Sequence, residues 1–76
     1  MQDILQTIIE NLVDNREAVS IEKIEEDYKE IYKVKVAPEE MGKVIGKQGK
    51  IAGAIRTILK SLGAKEHKKI DVEFVD

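Results

Sequence analysis

A chain of 76 residues with a formal net charge of −2 is the size of one domain, and residues 1–76 are read as one. It has no cysteine, which excludes a disulfide framework and a thiolate metal site, and the absence fits a reducing compartment. No apolar run approaches the ~20 residues that span a bilayer, and the first residues lack the pattern of a secretion signal, so a cytoplasmic protein with no membrane contact is expected.

The first element is a helix. Ile4, Leu5, Ile8, Ile9, Leu12 and Val13 share one face, and Asp14-Asn15 is a plausible stop, since Asn tolerates the left-handed cap position. Val19 and Ile21 begin a strand in which Ile24 breaks the alternation, as a bulge would. Glu25-Glu26-Asp27 reads as a turn. Tyr28, Tyr32, Val34 and Val36 then fall on one side of a second strand, with Ile31, Lys33 and Lys35 on the other. Pro38 suits the first turn of a short helix whose buried face is Met41, Val44 and Ile45. A third helix, from about Lys50 to Leu62, carries the stripe Ile51, Ile55, Ile58, Leu59 and Leu62, and Gly63 fits the position just past its end. Ile70, Val72 and Phe74 alternate as a third strand. The order α-β-β-α-α-β is that of an α+β domain with three helices on one face of a three-stranded mixed sheet.

The net charge conceals an uneven distribution. Met41 to Lys65 holds six bases (Lys43, Lys47, Lys50, Arg56, Lys60 and Lys65) and no acid, whereas the rest of the chain holds fifteen acids and seven bases. A local basic stripe is the footprint of a polyanion site, although a solvated lysine-rich helix face has the same composition.

Two helices meet at Gly46-Lys47-Gln48-Gly49. Glycine there lets a ligand approach the main chain closely. The loop leads into a helix N-terminus, where unpaired N–H groups favour an anion. Lys47 and Lys50 flank it with positive charge, and Gln48 can donate to a phosphate or sugar oxygen. The pattern is not a Walker A loop, which needs four residues between its glycines and then Lys-Ser/Thr; Gly42 and Gly46 are separated by three residues. A dinucleotide fingerprint is excluded because Val44 occupies its middle glycine position and a helix precedes it. An ordinary helix–turn–helix corner remains the bland alternative. No nucleophile–base pair can be assembled, and His67 has no carboxylate or cysteine at ligand spacing, so no enzyme, metal or cofactor is expected.

Val44-Ile45-Gly46-Lys47-Gln48-Gly49, followed by Ile55, resembles the core pattern Val-Ile-Gly-x-x-Gly-x-x-Ile-x-x-Ile of KH domains, with Ala52 at the first later isoleucine. The element order resembles the bacterial, type II form. The resemblance covers essentially the whole chain and is most specific from Val36 to Thr57; Gly53 departs from the longer polar residue expected there and weakens the helix by up to ~1 kcal/mol. It implies a module that clamps about four nucleotides of single-stranded RNA by the backbone and reads splayed bases. On that resemblance Lys43, Gly46, Lys47, Gln48, Gly49 and Lys50 grip the backbone. Ile45, Ala52 and Arg56 line the base groove, with Ile70 on the strand side. Core packing is an equal reading for Ile45 and Ile70, and a surface role for Arg56.

The resemblance further implies an RNA chaperone or post-transcriptional regulator, acting as a homodimer or with a larger KH-domain partner in control of cell shape and cell-wall growth. The competing reading is a protein-interaction or dimerisation module with little RNA contact; a small phosphate-binding enzyme is the remote third. The single Phe and two Tyr lie away from the loop in sequence, so stacking platforms are not expected and binding should be weak and backbone-driven.

Overall fold

The alternation of Glu30, Tyr32 and Val34 with Ile31, Lys33 and Lys35 decides which face of the sheet is covered. In the computed structural model, which describes residues 1–75, the elements are α1 (Gln2–Leu12), β1 (Ser20–Glu26), β2 (Lys29–Lys35), α2 (Met41–Ile45), α3 (Lys50–Lys65) and β3 (Lys69–Phe74). Short 3₁₀ turns lie at Arg16–Ala18, Pro38–Glu40 and Lys47–Gly49. The order is α-β-β-α-α-β and the fold is α+β, consistent with a type II KH domain. β2 is central, antiparallel to β1 and parallel to β3. A parallel neighbour requires a crossover connection, and α2, the loop and α3 supply it.

The pairing register places Ile21, Lys23 and Glu25 beside Val34, Tyr32 and Glu30, and these beside Phe74, Val72 and Ile70. That face receives the helices. Leu5, Ile9 and Val13 from α1 and its exit, Val44 from α2, and Ile55 and Leu59 from α3 close over Tyr32, Val34, Val36, Ile70 and Val72. Burying each such side chain contributes about 1.5–3 kcal/mol relative to leaving it in water. The open face carries Ile24 beside Ile31 among charged residues.

Several local expectations require correction. Ile24 marks no bulge, because β1 pairs continuously with β2 and Ile24 simply points to the open face. The turn is Asp27-Tyr28, while Glu25 and Glu26 belong to β1. Tyr28 therefore leaves the strand and is 83% exposed. α1 ends at Leu12, and Asn15 has a negative φ of −90°, not the left-handed cap. On α3 the buried stripe is Ala52, Ile55, Leu59 and Gly63; Ile51 and Ile58 are exposed. Ile4 is likewise exposed on α1.

Gly63 lies inside α3, not beyond it. A Cβ there would sit 2.3 Å from Cγ1 of Ile70 and 2.9 Å from the Lys68 carbonyl oxygen, so glycine is required by close approach. The helix ends two residues later, at Lys65, in a Schellman arrangement. The Lys68 N–H donates to the Gly63 carbonyl at 2.9 Å, and the His67 N–H to that of Ala64 at 3.1 Å. His67 takes the left-handed position, with φ of 59°, which glycine normally fills.

Gly63→Ala should lower the thermal midpoint and His67→Gly should raise it, the latter through relief of about 1 kcal/mol of backbone strain. Thermal unfolding followed by circular dichroism checks both. A neutral Gly63→Ala would show that α3 and β3 are not packed this closely.

Candidate nucleic-acid interface

α2 spans five residues, far below the about 12–15 at which an isolated helix becomes marginal. Its position comes from outside. The Glu40 carboxylate, 5% exposed, accepts the N–H groups of Asp14 and Asn15 at 2.6 and 2.9 Å. These are the first residues after Val13 at the exit of α1. Lys43 donates to Glu40 at 3.1 Å and to Asp14 at 3.0 Å. The carboxylate thus pins the start of α2 to the end of α1, and the backbone N–H bonds, followed by Lys43, hold its pKa below the usual glutamate range.

The loop leaves α2 at Gly46, whose φ of 76° and ψ of 173° belong to glycine alone. A Cβ there would meet Cγ1 of Ile51 at 2.6 Å. Gln48 and Gly49 follow in the left-handed region, with φ of 56° and 74°. The Gly46 N–H is used by the Gly42 carbonyl and the Gly49 N–H by that of Gly46. Among the described residues, the N–H groups of Lys47 and Gln48 have no backbone partner. Two free donors thus lie immediately before the N-terminus of a 16-residue helix. That arrangement suits an anion. Among the described residues, neither Lys47 nor Lys50 has a carboxylate within ion-pair distance.

The remaining site residues divide. Lys43 is engaged by Asp14 and Glu40, which makes it a brace of the loop more than a free cation. Ile45 is half-buried. Ala52 is 1% exposed and belongs to the buried stripe of α3 with Ile55 and Leu59. Ile70 is also 1% exposed, packed under Gly63 toward the far end of α3, so it belongs to the core. Arg56 donates from Nε to the Val72 carbonyl at 3.0 Å, and its guanidinium lies over the Phe74 ring, 5.4 Å from the centroid. β3 runs back along α3, which brings Phe74 toward the loop end of the helix. Sequence distance hides that aromatic, and the return path of β3 is the signal that could have found it.

A polar concavity of about 300 Å³ lies elsewhere, lined among others by Met1, Gln2, Lys23, Glu30 and Lys68. Its central carboxylate is satisfied from within the protein. The buried Glu30 accepts from Lys68 at 2.9 Å and from the Tyr32 hydroxyl at 3.1 Å. Lys68 foremost holds the Glu30 carboxyl below its usual range. This is a structural network, and the loop remains the stronger site.

The family model described as KhpA/KhpB, KH domain, matches residues 2–74. The chain belongs to that family. It is 49% identical to the RNA-binding protein KhpA of Caldanaerobacter subterraneus subsp. tengcongensis over 99% of this chain and 100% of that one. It is 45% identical to the RNA-binding protein KhpA of Listeria monocytogenes over the full length of both chains. The identity to the KhpA of Aquifex aeolicus is 41%, over 100% of this chain and 96% of the other. No solved structure matches. These KhpA relatives carry the name of a binding protein, not of an enzyme.

The brace on the KhpA/KhpB-type loop is sensitive to acid. The folded pKa of Glu40 is depressed, so its contribution is present above the ordinary glutamate range and is lost as pH falls through the lower folded value. Glu40→Gln should therefore be less stable than the parent at neutral pH. The gap should narrow as pH falls below the ordinary glutamate range and through the depressed folded value, where the parent carboxylate is also protonated. Thermal midpoints of both proteins across this range check it; a gap independent of pH would show that the charge does not matter.

Proposed function

We propose that this chain is a single-stranded RNA-binding protein that holds the RNA backbone with Gly46-Lys47-Gln48-Gly49 and Lys50. The observation that carries the reading is the pair of unpartnered N–H groups at Lys47 and Gln48, set before the N-terminus of α3 between two unpaired lysines. The name RNA-binding protein KhpA, borne by full-length relatives, supports it. A loop that engages few phosphates binds weakly, with a log–log salt slope of roughly −0.7 per phosphate contacted. Unpaired RNA should be preferred, because no element is suited to the shallow minor groove of a duplex.

Weak binding makes pairing useful. Two grooves held together raise avidity ~10²-fold or more without new contacts. We place the chain as a homodimer or as the smaller partner of a KhpB-like protein, a pairing that the joint family name supports. An RNA chaperone or post-transcriptional role, in the cytoplasm and in control of cell shape and cell-wall biogenesis, completes the reading. The alternative is an interaction module with little direct RNA contact.

Replacing Lys47 and Gln48 together by Asp separates the two. Carboxylates before a helix N-terminus suit its dipole, and Asp tolerates the left-handed region at position 48, so the fold should survive while phosphate is repelled. Filter binding should show loss of RNA binding with an unchanged circular dichroism spectrum. Equal binding by variant and parent would remove the loop from the mechanism. Sedimentation equilibrium on the same samples reads the pairing; a strictly monomeric parent that needs no partner would remove that part alone.

A further inference from the structure

The two edges of the sheet are not alike. β2 is central, so β1 and β3 each leave one side of the backbone without a neighbouring strand. On β3 the Val72 carbonyl is taken by Arg56 Nε at 3.0 Å. β1 joins β2 through the two-residue turn Asp27-Tyr28, with Glu26 opposite Lys29. Antiparallel pairing then alternates. Ser20, Glu22, Ile24 and Glu26 turn their backbone groups to β2, and Ile21, Lys23 and Glu25 turn theirs outward. The Ile21 carbonyl agrees with this phase, because Gln2 Nε2 of α1 donates to it at 3.3 Å. Among the described residues, no group outside the sheet meets the outward N–H and C=O groups of Lys23 and Glu25.

Natural edge strands are commonly blunted by shortness, proline or a bulge. β1 has seven residues, no proline and no bulge. Its charges are also unanswered. On the open face Glu73, Lys33 and Glu22 form a row that alternates in sign and ends on an acid. In the row of Lys69, Lys29 and Glu26, Lys29 turns to Asp71 at 3.0 Å and leaves Glu26 alone. Among the described residues, neither Glu22 nor Glu26 has a cation within ion-pair distance. Ile24 lies half-buried between these two exposed acids. β2 shows what satisfies this strand, since Lys29, Ile31 and Lys33 stand opposite Glu26, Ile24 and Glu22. A strand on the outer side needs the same alternation of base, apolar residue and base. A second copy of β1 is a poor match, because Glu22, Glu25 and Glu26 outnumber Lys23 and like charges across strands repel. The same acids repel RNA.

We propose that the outer edge of β1 docks an extended basic segment of a partner protein as a further strand. Lys or Arg lies opposite Glu22 and Glu26, and a β-branched residue opposite Ile24. Main-chain bonds to Lys23 and Glu25 supply affinity, and the two acids select the partner by charge. They also fix register, because a slip of one residue turns the bases to the other face. Gln2 closes the Ile21 carbonyl, so the docked segment need span only Glu22 to Glu26. The proposal goes beyond the RNA-binding reading and uses none of the loop residues.

The probe is the peptide Thr-Lys-Thr-Val-Thr-Lys-Thr, with Thr-Glu-Thr-Val-Thr-Glu-Thr as the control of opposite charge. The basic peptide should shift the Ile21, Lys23 and Glu25 amides of the full chain saturably, and the acidic peptide should not. Glu25→Pro removes an outward N–H and spares the ladder to β2, so it should abolish binding with an unchanged circular dichroism spectrum. Glu22→Gln together with Glu26→Gln leaves the backbone intact and removes both cross-strand charges, so it should weaken binding about fivefold. The Lys47→Asp, Gln48→Asp variant should bind the peptide like the parent, which keeps a failure of the RNA reading separate from a failure here. Unmoved β1 amides in the parent would overturn the docking edge, as would parent-like binding by either β1 variant. β1 shifts caused by oligouridine would give the edge to RNA instead. A parent dimer that Glu25→Pro dissolves in sedimentation equilibrium would give it to a second copy; either result overturns the proposal.

Discussion

Everything proposed for the loop depends on one buried carboxylate. α2 is too short to hold itself, and the chain must enter it straight from the end of β2. Glu40 solves this by accepting two backbone N–H groups from the exit of α1, and Lys43 closes the bridge. The same contacts draw Asp14 and Asn15 out of the helix, which explains why α1 stops at Leu12. Val44 then docks in the core, and Gly46 turns the chain against Ile51. Lys47 and Gln48 are left with their N–H groups free because the geometry on both sides of them is already determined.

The two ends of α3 serve different purposes. At its start, among the described residues, Lys47 and Lys50 have no carboxylate partner and the N–H groups of Lys47 and Gln48 are free. At its end, Gly63 packs on Ile70, His67 caps the helix, and Lys68 pairs with Glu30. The Lys68 charge at this second end is paired within the protein, as is that of Lys29 with Asp71 across β2 and β3. Neutralisation away from the loop explains how a chain with net negative charge can present a local positive site.

The element order and the loop were legible because they rest on local signals: helical and strand periods, Pro38 before a short helix, and glycines at a fixed spacing. Details decided by tertiary contact were not. Ile51 and Ile58 share the apolar composition of the α3 stripe, but the sheet takes Ala52 and Gly63 instead, since close packing favours small side chains there. Gly63 looked like a cap because glycine usually is one; only its approach to Ile70 shows otherwise. Tyr28 extends the alternation of β2 in sequence yet sits in the turn, because a two-residue turn leaves no compositional trace. For Lys43, charge was readable and partnership was not, since Asp14 and Glu40 reach it through the fold. Phe74 lies far from the loop in sequence, yet the return of β3 along α3 carries it to Arg56.

Amide chemical-shift mapping with a short unpaired RNA addresses the grip on the backbone most directly. The largest shifts should fall on Lys47 and Gln48, continue through Lys50 and Gly53 to Arg56, and reach the Val72 edge of β3. They should weaken as salt is raised. Shifts confined to the open face around Ile24 and Ile31, or to the Glu30–Lys68 end, with the loop amides unmoved, would contradict the account.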